Sequence, residues 1–216
     1  MLAHCSVLAL AAWAGAGLAA TPVVGKSAGA ARQLILVVGD SLSAEYGLAR
    51  GSGWVALLER RLAQQGIAAT VVNASISGDT TSGGRSRLPA LLKLHQPTIV
   101  VLELGANDAL RGLPLTMTRE NLAQMAAEAR QAGAQVLVVG MQVPPNYGRK
   151  YSDDFAALFA DVARGAKAAL VPFLLKGVAD APDAETLFQA DRIHPRAEAH
   201  PTMLGNVWSA LRPLLK

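Results

Sequence analysis

Leu34-Ile35-Leu36-Val37-Val38-Gly39-Asp40-Ser41-Leu42-Ser43 is the stretch on which the fold turns. Its first five residues are apolar without a break and rich in β-branched side chains. Such a run is too short for a buried helix and has the composition of a strand covered on both faces. The apolar run stops at Gly39, and polar residues follow at once. Open α/β sheets hold their ligands outside the carboxyl ends of the strands. The stretch therefore sets the hydroxyl of Ser41 where such a sheet would bind something. Ser41 alone also reads as a turn serine that caps a helix, so the other strand ends must decide.

Further apolar runs occupy Ala68–Val72, Thr98–Leu104 and Gln135–Val139, and a short one lies around Leu170–Phe173. Helical stripes separate them. Trp54, Leu57, Leu58 and Leu62 share one helix face, with Ser52 as its N-cap. Leu88, Leu91, Leu92 and His95 form another; Pro89 fits only a first turn, so residues 83–87 are expected to lead in irregularly. Leu122, Met125, Ala126 and Ala129 give a third, ended by Gly133. Phe155, Leu158, Phe159 and Val162 give a fourth, capped by Ser152 with Asp153 and Asp154 in its first turn. A last helix is expected over roughly Pro195–Leu215. Alternating strands and helices imply parallel pairing with right-handed crossovers. The predicted fold is α/β: a three-layer α/β/α sandwich around a central parallel five-stranded sheet.

The chain has 216 residues, about half of them apolar, and a formal charge of +4. That fits one domain with a sizeable core. No basic block has the length of a nucleic-acid tail, so no nucleic-acid partner is expected. Ser6–Ala20 is small, apolar and uncharged, which is the length of a signal h-region and short for a membrane span. Residues 1–30 are therefore read as a leader, with cleavage sites near Gly17 and Ala19 or Ala28 and Ala30, although Met1–His4 lacks a basic residue. Residues 31–216 are read as one domain without stable membrane insertion after leader removal, as a monomer or weak dimer. The one cysteine, Cys5, falls in the leader. The remainder has no disulfide, thiol nucleophile or thiolate metal site.

The segments that follow the strands are rich in Ser, Gly, Asn and Asp. They are Asp40-Ser41, Asn73–Asp79, Gly105–Asp108 and Val143–Gly148. A serine hydrolase needs a nucleophile, a base with an orienting acid, and donors for an oxyanion. Ser41 can supply the first. Asp191 and His194, three residues apart, can face one way on a turn or helix, the carboxylate fixing the imidazole tautomer. Donors are available from the backbone N–H of Ser41, the backbone N–H of Gly78 and the side-chain amide of Asn107. Such a base works only while neutral, so activity is expected to fall on the acid side of neutrality. Singly, Gly78 also reads as a turn glycine, Asn107-Asp108 as a loop or cap, and His194 as a helix-entry residue. His95 reads as a half-buried helix-end residue, and His200 has no acid at useful spacing. No histidine pair has metal-ligand spacing, and no Walker or dinucleotide fingerprint occurs, so no metal and no cofactor are expected.

Taken together, Ser41, Gly78, Asn107 and His194 resemble the signature of the SGNH hydrolases, a branch of the GDSL-type lipases and esterases. The resemblance runs from about Leu34 to Leu215. Residues 71–80, 88–93 and 145–149 are similar to the bacterial periplasmic multifunctional thioesterase I / protease I / lysophospholipase group in particular. The resemblance implies a flavodoxin-like fold, a periplasmic location and metal-free hydrolysis of small-molecule acyl esters and thioesters, lysophospholipids included. It also implies that Val143 and Pro144 line an acyl groove. Ala106 stands where the group commonly has glycine, and the extra methyl is expected to tune its loop. An arylesterase or carbohydrate O-acetylesterase is the alternative within the fold; a lipid-binding protein on a degenerate hydrolase fold is the non-enzyme alternative. Arg85 and Arg87 read as solvated loop residues rather than contacts for a coenzyme A phosphate. Leu110, Leu113, Leu115 and Met117 read equally as a lip for acyl chains or as edge packing.

Overall fold

The computed structural model describes residues 1–2 and 33–216. The leader, its cleavage sites, His4 and Cys5 lie outside the described residues. In chain order the main elements are β1 (Gln33–Gly39), α1 (Trp54–Gln64), β2 (Ala69–Asn73), α2 (Thr81–His95), β3 (Ile99–Glu103), α3 (Ala106–Leu110) and α4 (Leu115–Gln131). After them come β4 (Gln135–Val139), α5 (Arg149–Ala166), β5 (Ala169–Val171), α6 (Ala184–Leu187) and α7 (His200–Leu211).

All five strands are parallel, in the order β2-β1-β3-β4-β5. This is the doubly wound order expected of a flavodoxin-like sheet. Helices α1 and α7 pack together, and α2, α4 and α5 pack in series, so the sheet is the middle of three layers. Ile35, Leu36, Val37 and Val38 of β1 and every residue of β3 are buried, as strands covered on both faces must be. Each such apolar side chain contributes about 1.5–3 kcal/mol by leaving water. No described helix is long and apolar enough to cross a membrane.

Several local expectations give way to tertiary contacts. Helix α2 begins at Thr81 and carries Pro89 inside it, so residues 83–87 are helical. Pro89 is exposed, which leaves its unpaired carbonyl partner to solvent. The helix start is held instead by buried Asp108, whose Oδ2 accepts from Thr81 N at 2.9 Å, and by Thr80, whose hydroxyl accepts from Gly83 N. Ser52 does not cap α1: its Oγ donates to Ala49 O, and Gly53 is the N-cap. The first N–H of that helix, on Trp54, goes to Nδ1 of His200 at 3.0 Å. His200, without an acid three residues away, is thus a buried helix cap. Burial holds its pKa below the ordinary imidazole value, against a backbone bond to Pro195 and the charge of Glu45.

Ser152 is also displaced from its expected role, because α5 starts at Arg149 and Gly148 precedes it. Asp153 and Asp154 lie one turn further in, where they pair with Arg149 and Lys150. The last α-helix is shorter than expected, with short 3₁₀ segments at Ala197–Ala199 before it and Arg212–Leu214 after it.

Candidate active site

Parallel register aligns the strand ends that matter. Gly39 pairs with Glu103, and Val37 pairs with Asn73. The loops after β1, β2 and β3 therefore leave the sheet side by side. Ser41 sits half-buried in the turn after β1, where Oδ1 of Asp40 accepts from Leu42 N at 3.0 Å. Asn73 Nδ2 fastens the same turn by donating to Ser43 O at 2.8 Å.

Asp191 and His194 reach Ser41 from the far end of the chain. Between them Arg192 takes a left-handed conformation, φ 58°, which is uncommon for a residue with a Cβ. The bend lets one carboxylate collect three donors. Oδ1 accepts from Ile193 N and His194 N, each at 3.0 Å, while Oδ2 is 2.7 Å from His194 Nδ1. Nε2 of the same ring is 2.9 Å from Ser41 Oγ. Burial acts to raise the Asp191 carboxyl, but the hydrogen bonds from the His194 ring and from the two N–H groups outweigh it and hold the pKa at about 2.

Two residues that the sequence did not single out hold this arrangement. Gln189 donates through Nε2 to Tyr46 O at 2.9 Å and to Pro195 O at 3.1 Å, tying the histidine turn to the serine loop. Tyr46 sets its ring 4.3 Å from the His194 ring. Neither carries a signal in sequence, because each acts through the spatial meeting of segments more than a hundred residues apart.

The candidate oxyanion donors differ in readiness. Among the described residues, the N–H groups of Ser41 and Gly78 have no hydrogen-bond partner. Gly78 has φ +79°, a conformation that favours glycine, and its carbonyl accepts from Arg111 Nη2 at 2.7 Å. Asn107 is different: its Nδ2 already donates to Asp40 Oδ2 and Asp79 O, both at 3.0 Å. Donation to an oxyanion therefore means sharing one of those hydrogens. Its neighbour Asp108 points away and caps α2, so the two residues of the Asn-Asp pair have separate tasks.

A cavity of about 610 Å³ opens at this edge. Ser41, Asn107, Val143, Pro144 and His194 line it, with an apolar wall that includes Leu110, Met141, Phe173 and Phe188. The structure thus brings Val143 and Pro144 beside Ser41. Leu110 belongs to the cavity, whereas Leu115 and Met117 start α4 as half-buried residues, so the expected lip divides in two. Ala106 opens α3 in helical geometry and lines the cavity, so its methyl imposes no backbone strain. Arg85 and Arg87 lie in α2 rather than in a loop, Arg85 exposed and Arg87 half-buried. Arg87 pairs with Asp79 at 2.8 Å and donates to Ala74 O, and Arg85 donates to Asn121. Arg87 thereby fixes the loop that carries Gly78.

The arrangement can pass a proton from a hydroxyl to an imidazole and meet a developing negative charge with N–H groups, beside an apolar hollow. The chain is similar to known proteins. Residues 37–201 match the GDSL-like Lipase/Acylhydrolase family. The chain is 53% identical over 186 residues to "Esterase TesA" of Pseudomonas aeruginosa, covering 86% of this chain and 91% of that protein. It is 42% identical over 175 residues to "Arylesterase" of Vibrio mimicus, covering 81% and 86%. It is 40% identical over 186 residues to "Thioesterase 1/protease 1/lysophospholipase L1" of Escherichia coli K12, covering 86% of each chain. A crystal structure of TesA superposes with a TM-score of 0.81 at 53% identity, covering 85% of this chain and all of that one. With the matched family spanning both Ser41 and His194, the chain belongs to the GDSL/SGNH hydrolases and is a carboxylic ester hydrolase.

Proposed function

We propose that the chain hydrolyses acyl thioesters of the acyl-CoA type, carboxylic esters and lysophospholipids through an acyl-enzyme on Ser41. The observation that carries this reading is the continuous line from Asp191 Oδ2 through both ring nitrogens of His194 to Ser41 Oγ, at 2.7 and 2.9 Å. Asp191 holds the tautomer with the proton on Nδ1, which leaves Nε2 free to accept. Ser41 Oγ attacks the acyl carbon as its proton moves to Nε2. The oxyanion faces the N–H groups of Ser41 and Gly78 and the Asn107 amide. Collapse expels the thiolate or alkoxide, protonated by His194. Water, activated by the same imidazole, then releases the fatty acid. Every step uses groups of the chain itself, and the cavity beside Val143 and Pro144 takes the acyl chain. Residues 1–30 serve as the export signal for a periplasmic enzyme.

The name of the Vibrio relative favours a second reading, an arylesterase preferring short acyl groups. A series of p-nitrophenyl esters from acetyl to palmitoyl, run beside palmitoyl-CoA and lysophosphatidylcholine, separates the two. Turnover of the long acyl chains and of the thioester is expected. Activity confined to acetyl esters would transfer the assignment to the second reading. A fluorophosphonate probe should label the wild type with one adduct, on Ser41. Absence of any adduct would favour a binding protein on a degenerate fold.

Asn107→Ala is expected to lower kcat by roughly 10²–10³-fold with KM little changed, the usual cost of one oxyanion donor. Steady-state kinetics on a single p-nitrophenyl ester reads the split. An unchanged kcat would remove Asn107 from the oxyanion site.

A further inference from the structure

Beneath the Ser41 turn lies a second acid that the triad does not use. Glu103, the last residue of β3, is 0% exposed. Its Oε2 accepts from Ser43 Oγ at 2.7 Å and from Asp40 N at 3.3 Å. Ser43 Oγ in turn accepts from Trp54 Nε1 at 3.2 Å. The approach is close enough that a Cβ on Gly39 would lie 2.8 Å from both Glu103 Oε2 and Ser43 Oγ. The other carboxyl oxygen, Oε1, is buried and has no partner. The acidic group facing Glu103 is Asp40, itself 1% exposed, and among the described residues no cation pairs with either side chain. Asp79 and His194 face Asp40 from the neighbouring loops.

We propose that Glu103 is a neutral carboxylic acid that acts as a positioning residue for the Ser41 turn and, through Asp40, for the Asn107 amide. Two ionised carboxylates cannot share a dry site without a cation, so one must hold a proton. Each carboxyl accepts from two donors, but both donors to Glu103 fall on Oε2 and leave Oε1 bare, whereas Asp40 has one on each oxygen. Protonated, Glu103 gains a donor that the Asp40 side chain can accept. Asp40 then remains the acceptor for Asn107 Nδ2 and Leu42 N, which fixes the amide beside Ser41. Burial and the Asp40 charge both push the Glu103 pKa well up, which agrees with this assignment. Its catalytic consequence rests on the Ser41 reading given above.

Three measurements on the full enzyme test it. Infrared difference spectra of wild type against Glu103→Gln at about pH 7, well above the ordinary glutamate range, should show one protonated carboxyl band that the variant lacks. Thermal melts should give matching Tm values near about pH 4, with the Gln variant gaining as pH rises. The sign follows because only the unfolded wild type gives up this proton above the ordinary glutamate pKa. Lastly, Glu103→Ala should lower kcat on the order of 10²-fold at steady KM, the scale of a small misplacement, and Gln at the same position should restore most of it. A missing band, a Tm gap independent of pH, or a Gln variant as impaired as Ala would each overturn the proposal. If the Ala variant does not fold, the spectra and melts still decide. Both are read without substrate, so they stand apart from any failure of Ser41 labelling.

Discussion

Ser41→Ala is expected to cut kcat for a p-nitrophenyl acyl ester by about 10⁴–10⁶-fold, the range seen when a serine nucleophile is removed. Ser41 Oγ makes one side-chain hydrogen bond, to His194 Nε2, and the residue is only half-buried. Its loss should cost folding stability no more than about 1 kcal/mol. The backbone N–H of residue 41 survives the substitution, so the oxyanion donors stay in place and some residual rate remains. Paired measurements of turnover and of Tm check the expectation. Turnover within tenfold of wild type, in a folded protein, would sink Ser41 as the nucleophile.

Asp191→Asn is expected to lower kcat by about 10³–10⁴-fold while changing KM little, as when the orienting acid of a triad becomes an amide. An asparagine keeps an oxygen for the N–H groups of Ile193 and His194, so the turn survives. Its Nδ2 then donates to His194 Nδ1. That forces the ring proton onto Nε2, where it blocks acceptance from Ser41. The wild-type carboxylate, held at about 2, stays ionised throughout the pH range of ordinary assays. The acid-side fall in activity therefore does not arise at Asp191. A depressed carboxyl adds stability above its unfolded pKa and loses it as pH falls toward the folded one. The contribution of Asp191 to folding therefore varies with pH only in acid, below the ordinary carboxylate range. A kcat/KM profile of the variant against pH is the check, and a variant as active as wild type would remove Asp191 from the triad.

Asp40 has the opposite sign. Burial raises it to about 6, against the lowering pull of the Leu42 N–H and of His194. A raised carboxyl favours the folded state at low pH and disfavours it as pH climbs past the unfolded value toward 6. The acid cluster under Ser41 is therefore maintained at a cost to stability near neutrality. That cost falls where the turn and the amide must be held still.

The primary sequence marked the strands, their parallel pairing, and Ser41, Asp191 and His194 as candidate site residues. Those features follow from local signals: unbroken apolar runs, helical stripes, and polar residues gathered where each run stops. The acid three residues before the histidine is a local signal as well, since one turn brings both side chains together. Tertiary structure alone decided the helix ends, because Asp108 reaches α2 and His200 reaches α1 from elsewhere in the chain. It alone made Arg87 a tie for the Gly78 loop and engaged both hydrogens of Asn107. Glu103 is the plainest case. In sequence it is one acidic residue at the end of an apolar strand. Only the pairing of β3 with β1 puts it opposite Gly39, out of water and against Asp40, and a carboxyl's protonation follows from its surroundings rather than from its place in the chain.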